Sequence, residues 1–279
     1  QVVILMFLIT TNNGSDVLER SCSGKYCYEV VEKDSGEDRR VRQFFLTVAG
    51  RSRHLISQGT LDDSLQFEKN EVHDETNRAI IGVMFASQPV SKKRFNVLYS
   101  TNSPSEIDRY FAQNEQFNVT SLIFDLHALE MSKKWMGISD NGVNYIHDPS
   151  GQYLDVLQAN GKYFDAYVID RCDFSGKWRN CPAESVIDWN RLHFFTSLLK
   201  PNGVLIIRLT SDHSSAKMAE MALIELFSSC YKYPEEVYRK GDTQLLICTL
   251  LPVVSPWEHL RRSIEWKEAA LNLPRFHKP

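Results

Sequence analysis

The sequence lacks a hydrophobic run long enough to cross a bilayer, although 43% of its 279 residues are apolar. A transmembrane helix needs about 20 consecutive apolar residues, and the run from Val2 to Ile9 is far shorter. It also lacks the basic residues and the small-residue cleavage site of a signal peptide. We interpret Val2 to Ile9 as a first strand, with the end of a signal sequence as the alternative. A globular protein with no membrane partner is expected.

A strong excess of charge is also missing. The formal net charge is -3 and the isoelectric point lies near 6.3, so the protein has no overall field that would attract nucleic acid. The basic cluster Lys92-Lys93-Arg94 is short, and we interpret it as a solvated turn. The sequence therefore predicts no nucleic-acid partner.

Cysteine is sparse, and no Cys-x-x-Cys pair occurs. The six cysteines are Cys22, Cys27, Cys172, Cys181, Cys230 and Cys248. Cysteines spread over a chain of this size favour a reducing compartment, which predicts a cytoplasmic protein. We expect Cys172 and Cys181 to be free thiols, with a disulfide between them as the alternative. The sequon Asn118-Val119-Thr120 is compatible with secretion, which is the alternative localisation.

Motifs for metal binding and nucleophilic catalysis are missing as well. The histidines do not have metal-ligand spacing, and no Ser-His-Asp arrangement or phosphate-binding loop can be proposed from the spacing of residues. The sequence therefore predicts no metal site.

One stretch near the middle of the chain has the clearest periodicity. Ala166 to Ile169 is a short apolar run, typical of a strand buried on both faces, and it stops at Asp170. From Ser185, apolar residues spaced three or four apart predict a helix of about four turns, which Pro201-Asn202-Gly203 ends. Val204 to Leu209 is a second buried strand. Strand, helix and parallel strand form a right-handed crossover, and ligands bind beyond the carboxyl ends of such strands.

The flanking segments define the fold class. Three short β-prone runs in residues 1–70 predict a small N-terminal β lobe. They are Tyr28 to Glu32, Arg42 to Val48 and His54 to Ser57. In residues 71–279, strands and helices alternate, and a helix capped by Asp74 comes first. The runs Tyr231 to Tyr238 and Thr243 to Leu250 predict an antiparallel pair at the edge of the sheet. We predict an α/β fold with a doubly wound, Rossmann-like sheet and a β lobe.

Acidic residues follow three of the predicted strands. Asp125 ends one strand, Asp148 ends the strand from Val143 to His147, and Asp170 and Asp173 follow the central strand. Carboxylates at successive strand ends converge on one crevice, where they can accept hydrogen bonds from ribose hydroxyls, an adenine amino group or a substrate amine. The alternative is that each acid caps the next helix.

Several motifs resemble the spermidine-synthase-like branch of class I methyltransferases, and in particular the C-terminal domain of the eukaryotic elongation factor 1-alpha lysine and N-terminal methyltransferase family. The resemblance runs from about Tyr26 to Leu250. Its motifs are Tyr28-Glu29-Val30-Val31-Glu32, Arg39-Arg40, Phe44-Phe45-Leu46, the helix from His73 to Gly82, Leu122-Ile123-Phe124-Asp125, Lys134-Trp135-Met136-Gly137, Tyr163-Phe164-Asp165, Cys181-Pro182-Ala183 and Gly203-Val204-Leu205.

The resemblance implies a fold that binds S-adenosylmethionine. It places Asp125 near the ribose hydroxyls and Asp148 near the adenine, with Asp170 and Asp173 as catalytic residues that face the methyl donor and the substrate amine. The turn after the first strand of the sheet would also contact the cofactor, through Tyr99, Ser100 and Asn102. The implied partner is a protein substrate, a translation elongation factor methylated on its N-terminal amine, and a homodimer is possible.

That turn departs from the family. The family has a glycine-rich turn that lets the backbone approach the cofactor, whereas Tyr99-Ser100-Thr101-Asn102-Ser103-Pro104-Ser105 contains no glycine. Pro104 also removes a backbone donor. The sequence therefore leaves three hypotheses: an S-adenosylmethionine-dependent protein N-methyltransferase, a catalytically inactive binding or regulatory protein of the same fold, and a polyamine aminopropyltransferase. The third is the weakest, because Asp170-Arg171-Cys172-Asp173 replaces the Asp-Ser-Ser-Asp run of that branch.

Overall fold

The computed structural model describes residues 10–11, 15–36, 39–48, 52–87, 94–175, 178–186, 188, 191–210, 214–233 and 243–251. The predicted strand from Val2 to Ile9 and most of the basic turn at 92–94 lie outside these residues. Among the described helices, none is long and apolar enough to cross a membrane.

The N-terminal lobe is an antiparallel sheet in which neighbouring strands follow one another in sequence. Its strands are β1 (Thr10–Thr11), β2 (Ser15–Ser23), β3 (Tyr26–Asp34), β4 (Arg40–Val48) and β5 (Arg53–Leu61). The three strands predicted here are confirmed, and each extends by a few residues. Strand β2 was not predicted, because Val17, Leu18 and Cys22 are its only apolar residues and they do not alternate with polar ones.

The larger unit alternates helices and strands. In chain order it contains α1 (Glu75–Ala86), β6 (Phe95–Thr101), α2 (Glu106–Gln113), β7 (Phe117–Ile123), α3 (Leu126–Trp135), β8 (Val143–His147), α4 (Tyr153–Ala159), β9 (Phe164–Asp170), β10 (Asp173–Ser175), β11 (Trp178–Asn180), α5 (Leu192–Ser197), β12 (Leu199–Thr210), α6 (Ser214–Leu226), β13 (Ser229–Tyr233) and β14 (Thr243–Thr249). Asp74 caps α1, as predicted, by accepting a hydrogen bond from the amide of Asn77 at 2.8 Å.

Seven of these strands form one sheet in the order β13-β14-β12-β9-β6-β7-β8. Strands β12, β9, β6, β7 and β8 are parallel neighbours, and β14 pairs antiparallel with both β12 and β13. Apolar cores cover both faces of the sheet. The predicted doubly wound α/β sheet with its β lobe is confirmed.

The central crossover differs from the prediction in its helix. In place of four turns from Ser185, the chain forms a short 3-10 helix at Glu184–Val186 and then α5. Strand β12 also begins earlier, at Leu199, and passes through Pro201-Asn202-Gly203 with a shift in register. Gly203 is needed for space rather than for a positive φ, because a Cβ there would lie 2.9 Å from the carbonyl oxygen of Lys200.

The cysteine prediction was wrong, because the six cysteines form three disulfides. Cys22 pairs with Cys27, Cys172 with Cys181, and Cys230 with Cys248. Each bond joins two antiparallel strands or the base of a hairpin. The sequence did not reveal this, because partners that face each other across strands need no recognisable spacing.

Candidate functional site

The predicted acidic residues lie along the carboxyl edge of the sheet. Asp125 follows β7, Asp148 follows β8 and Asp170 ends β9. Strand β6 lies between β9 and β7, so the four strand ends are adjacent. Backbone bonds tie the segments together, from the amide of Asp125 to the carbonyl of Asn102 at 3.1 Å and from the amide of Asp148 to the carbonyl of Ile123 at 2.9 Å. The fold therefore gathers these acids at one edge.

Asp125 is both a helix cap and a contact to the lobe. Its Oδ1 accepts hydrogen bonds from the amides of His127 and Ala128 at 2.9 and 3.3 Å, and so caps α3. Its Oδ2 accepts the hydroxyl of Tyr28, in β3, at 2.7 Å. Because both oxygens have partners within the protein, the capping alternative holds for this residue.

Asp148 is buried beside an arginine that links three strand ends. Its Oδ2 accepts a bond from the amide of Tyr153, at the start of α4, at 3.3 Å. Arg171 follows β9, and its guanidinium carbon lies 4.3 Å from the ring centre of Phe124, at the end of β7. The same guanidinium donates to the carbonyl of Pro149, after β8, at 3.0 Å. Arg171 therefore spans the ends of β7, β8 and β9, beside the Asp148 position where the resemblance predicts the adenine.

Asp170 belongs to a buried ionic cluster. Its Oδ1 lies 2.6 Å from Nε of Arg208 and 2.8 Å from Nη2 of Arg179. Its Oδ2 accepts the hydroxyl of Tyr99 at 3.2 Å and Nη2 of Arg208 at 3.2 Å. Asp170 and Arg208 are 4% and 2% exposed, so the carboxylate faces the two arginines and not an open crevice.

Helix α1 completes this cluster. Nη2 of Arg208 also donates to Oδ1 of Asn77 at 2.6 Å, and its Nη1 lies 3.9 Å from Oδ1 of Asp74. Sequence reasoning missed Arg208 as a site residue. The sequence does contain a signal for it, because Arg208 is a charged residue inside the apolar run from Val204 to Leu209. A charge buried in a strand needs a partner.

Asp173 lies apart from this cluster. It is exposed, begins β10, and its Oδ2 accepts the amide of Glu184 at 3.0 Å. Thus Asp170 and Asp173 are close in sequence but meet different partners. Their predicted catalytic roles stay predictions.

The glycine-free turn after β6 is tightly bonded. Oδ1 of Asn102 accepts the amide of Cys172 at 2.6 Å, which joins the loops after β6 and β9. Hydroxyl Oγ of Ser105 accepts the amide of Ile107, and the amide of Ser105 donates to Oδ2 of Asp108 at 2.9 Å. This capping box satisfies the amides at the start of α2, where an anionic ligand group would otherwise bind.

Burial shifts the pKa values of two side chains next to this turn, Asp108 and Tyr99. Burial raises the pKa of Asp108 to about 7, and its carboxyl accepts bonds from the amide of Ser105 and the hydroxyl of Ser121. Burial, with Asp170 close by, raises the pKa of the Tyr99 hydroxyl well above its usual value. Among the described residues, no three His, Cys, Asp or Glu side chains form a group that could hold a metal ion.

The chain resembles known proteins in its fold but not detectably in its sequence. No protein-family model and no curated protein sequence matches the chain significantly. The crystal structure of human methyltransferase-like protein 13 in complex with SAH superposes with a TM-score of 0.59 at 18% identity, over 74% of this chain and 96% of that one. A spermidine synthase with the transition state analogue AdoDATO gives 0.63 at 12% identity, over 94% and 81%.

This chain has the fold of class I methyltransferases and spermidine synthases. Spermidine synthase from Thermotoga maritima also matches, with a TM-score of 0.59 at 12% identity over 94% of this chain and 80% of that one. Identities this low establish the shared fold alone, because one fold serves many chemistries. The methyltransferase fold typically binds S-adenosylmethionine, so the fit of this chain to that cofactor decides its function.

Proposed function

We propose that this chain is a catalytically inactive binding or regulatory protein, which keeps the methyltransferase fold but does not use S-adenosylmethionine. The observation that carries this proposal is the bond from the amide of Cys172 to Oδ1 of Asn102 at 2.6 Å. It closes the gap between the loops after β6 and β9, and a glycine at position 102 would leave that gap open.

Three further contacts support the proposal. Arg171 covers Phe124, Asp125 is shared between α3 and Tyr28, and Asp170 is held by Arg179 and Arg208. A cofactor bound at this edge would have to displace these contacts, and separating Asp170 from Arg208 would leave a buried charge unpaired, which costs several kcal/mol. The residues present therefore do not fit the adenosyl group.

The disulfides bear on the proposed localisation of such a protein. Disulfides form and persist in oxidising compartments and are rare in the cytosol. The three bonds therefore support the secretory alternative over the predicted cytoplasmic localisation.

Calorimetric titration with S-adenosylmethionine and with its demethylated product tests the proposal. We expect no saturable heat up to about 1 mM ligand, which corresponds to a binding free energy weaker than about -4 kcal/mol. Thermal unfolding of the same sample shows that the protein is folded. Saturable binding of either ligand below that concentration would overturn the proposal.

The second candidate is an S-adenosylmethionine-dependent protein N-methyltransferase with the N-terminal amine of an elongation factor as acceptor. It is favoured by the adjacent positions of Asp125, Asp148 and Asp170 at one sheet edge. If cofactor binding were found, Asp125→Ala should weaken it by about 1 to 3 kcal/mol, the cost of leaving polar groups unpaired. Methyl transfer to a synthetic N-terminal peptide, followed by mass spectrometry, would then identify the acceptor.

A further inference from the structure

The amino end of strand β7 carries an exposed asparagine within a glycosylation sequon. Asn118 is the second residue of β7, and Asn118-Val119-Thr120 has the pattern that N-glycosylation requires. The side chain of Asn118 is exposed, whereas those of Phe117 and Val119 are buried. The acceptor amide therefore faces solvent while its neighbours anchor the strand.

The surroundings of Asn118 leave its amide nitrogen available. Nδ2 donates to Oδ1 of Asn96, on β6, at 3.0 Å, and that contact is itself exposed. Asn96 is also the register partner of Asn118. A surface hydrogen bond between two amides contributes little because water can replace either partner, so a modifying enzyme can displace it.

The position is compatible with a bulky substituent. Asn118 lies at the amino end of β7, on the order of 20 Å along the strand direction from Asp125, given about 3.3 Å per residue. The lobe contacts the carboxyl end of β7 through Tyr28 and Asp125. A glycan on Asn118 would project from the opposite edge of the sheet and leave both the crevice and the lobe interface free.

The disulfides supply an independent reason to expect the modifying machinery. Three disulfides involve all six cysteines of the sequence, and disulfides form where secreted proteins fold. The sequon and the disulfides are separate properties of the chain, and both point to the same compartment.

We infer that Asn118 is an N-glycosylation site. In the reaction, Nδ2 of Asn118 forms a bond to the anomeric carbon of a lipid-linked oligosaccharide and loses a proton. The bond from that carbon to the lipid pyrophosphate breaks, and the pyrophosphate leaves with the electron pair. Thr120 supplies the hydroxyl that the sequon requires.

The test is expression of the chain behind a secretory signal peptide in insect cells, with peptide mapping of the product before and after treatment with a peptide N-glycosidase. We expect the peptide containing Asn118 to carry a hexosamine-linked glycan, and the glycosidase to convert position 118 to aspartate. The second sequon, Asn13-Gly14-Ser15, maps to a different peptide, so the two sites are read separately.

Matched variants separate the sequon from general effects on folding. Asn118→Gln and Thr120→Val should remove the glycan, whereas Thr120→Ser retains the sequon and should keep it. Disulfide mapping of the same material shows whether the three bonds are present. Protein that has entered the secretory pathway with its disulfides intact, but with position 118 unmodified, overturns the inference; this readout is independent of cofactor binding.

Discussion

Arg208, near the end of β12, lies at the centre of the buried ionic cluster around Asp170. It contacts Asp170, Asn77 and Asp74 from inside an apolar strand. A buried ion pair contributes little net stability, but removing one partner leaves an uncompensated charge. The arginine is therefore needed because the aspartate is present.

Replacing Arg208 should accordingly destabilise the protein strongly. We expect Arg208→Met to lower the free energy of unfolding by about 3 to 5 kcal/mol, the usual cost of breaking a buried pair. Urea denaturation followed by circular dichroism measures this change. The double variant Asp170→Asn/Arg208→Met should regain a large part of the loss, because the unpaired charge is then gone. Equal stabilities of the single and double variants would contradict this account.

Asp108 should make stability depend on pH. Its pKa is raised to about 7 in the folded state, whereas an Asp in an unfolded chain titrates near 4 (about 3.9). Between these values the folded state binds more protons than the unfolded state, so the stability that this group contributes falls as pH rises from about 4 to about 7. Above that range the full penalty of a buried carboxylate is present.

Asn at position 108 cannot titrate but keeps an oxygen for the amide of Ser105. We therefore expect Asp108→Asn to flatten the decrease in unfolding free energy between about pH 4 and pH 7. Chemical denaturation at several pH values provides the measurement, and Asp155→Asn, on the exposed side of α4, controls for the loss of a carboxyl group. Parallel curves for wild type and Asp108→Asn would show that Asp108 does not carry the effect.

The hairpin of β10 and β11 follows β9 and is bonded to the end of β12. The Cys172–Cys181 disulfide joins the two ends of this hairpin. Hydroxyl Oγ1 of Thr210, at the end of β12, accepts the amide of Cys181 at 2.9 Å and donates to the carbonyl of Arg179 at 2.8 Å. The hairpin thereby holds Arg179 against Asp170.

Removing this disulfide should loosen the hairpin. By the chain-entropy model, Cys172→Ser/Cys181→Ser should lose about 2 to 3 kcal/mol of stability. Hydrogen exchange should also become faster at the amides of positions 172 and 181, because the hairpin opens locally. The matched variant Cys22→Ser/Cys27→Ser removes a similar bond in the lobe. It should change exchange at positions 172 and 181 only as far as it changes global stability, without additional local opening. If both variants changed exchange at 172 and 181 alike, the disulfide would have no local role there.

Sequence patterns predicted the elements better than the contacts among them. Strand β8 occurs at the predicted residues, Val143 to His147, and the capped start of α1 also agrees, because apolar runs and caps are local signals. The helix after Ser185 was overestimated, since its apolar spacing continues into a segment that pairs as β12. The carboxylates of the candidate site were predicted to meet at one edge, with helix capping as the alternative, and Asp125 does cap α3. The arginines that hold Asp170 were not predicted. They lie in β11 and β12, and only the tertiary fold brings them to Asp170.

For the whole molecule, the main question is whether the lobe and the sheet unfold together. Tyr28, Val30, Phe44 and Leu46 of the lobe pack in one buried cluster with Ala128, Met131, Met136 and Ile138, in and after α3. Arg109, fully buried in α2, adds polar contacts to the carbonyls of Gln58 and Met136 at 3.0 and 3.4 Å. An interface with both apolar and polar contacts is expected to make the two parts one cooperative unit.

A substitution remote from the lobe tests this cooperativity. Leu223, on α6, is fully buried in the core on one face of the sheet and is not part of the lobe cluster. Leu223→Ala should lower the free energy of unfolding by about 2 to 5 kcal/mol. In a single cooperative unit, hydrogen exchange should report the same loss of opening free energy in β3 and β4 of the lobe as in β9 and β12 of the sheet. Met131→Ala, of similar expected cost, removes a contact at the interface itself and in one cooperative unit should accelerate exchange in the lobe and in the sheet to the same extent. Lobe strands that kept wild-type exchange in Leu223→Ala would show that the lobe is an independent folding unit, and the Tyr28–Asp125 contact would then be a docking contact between two domains.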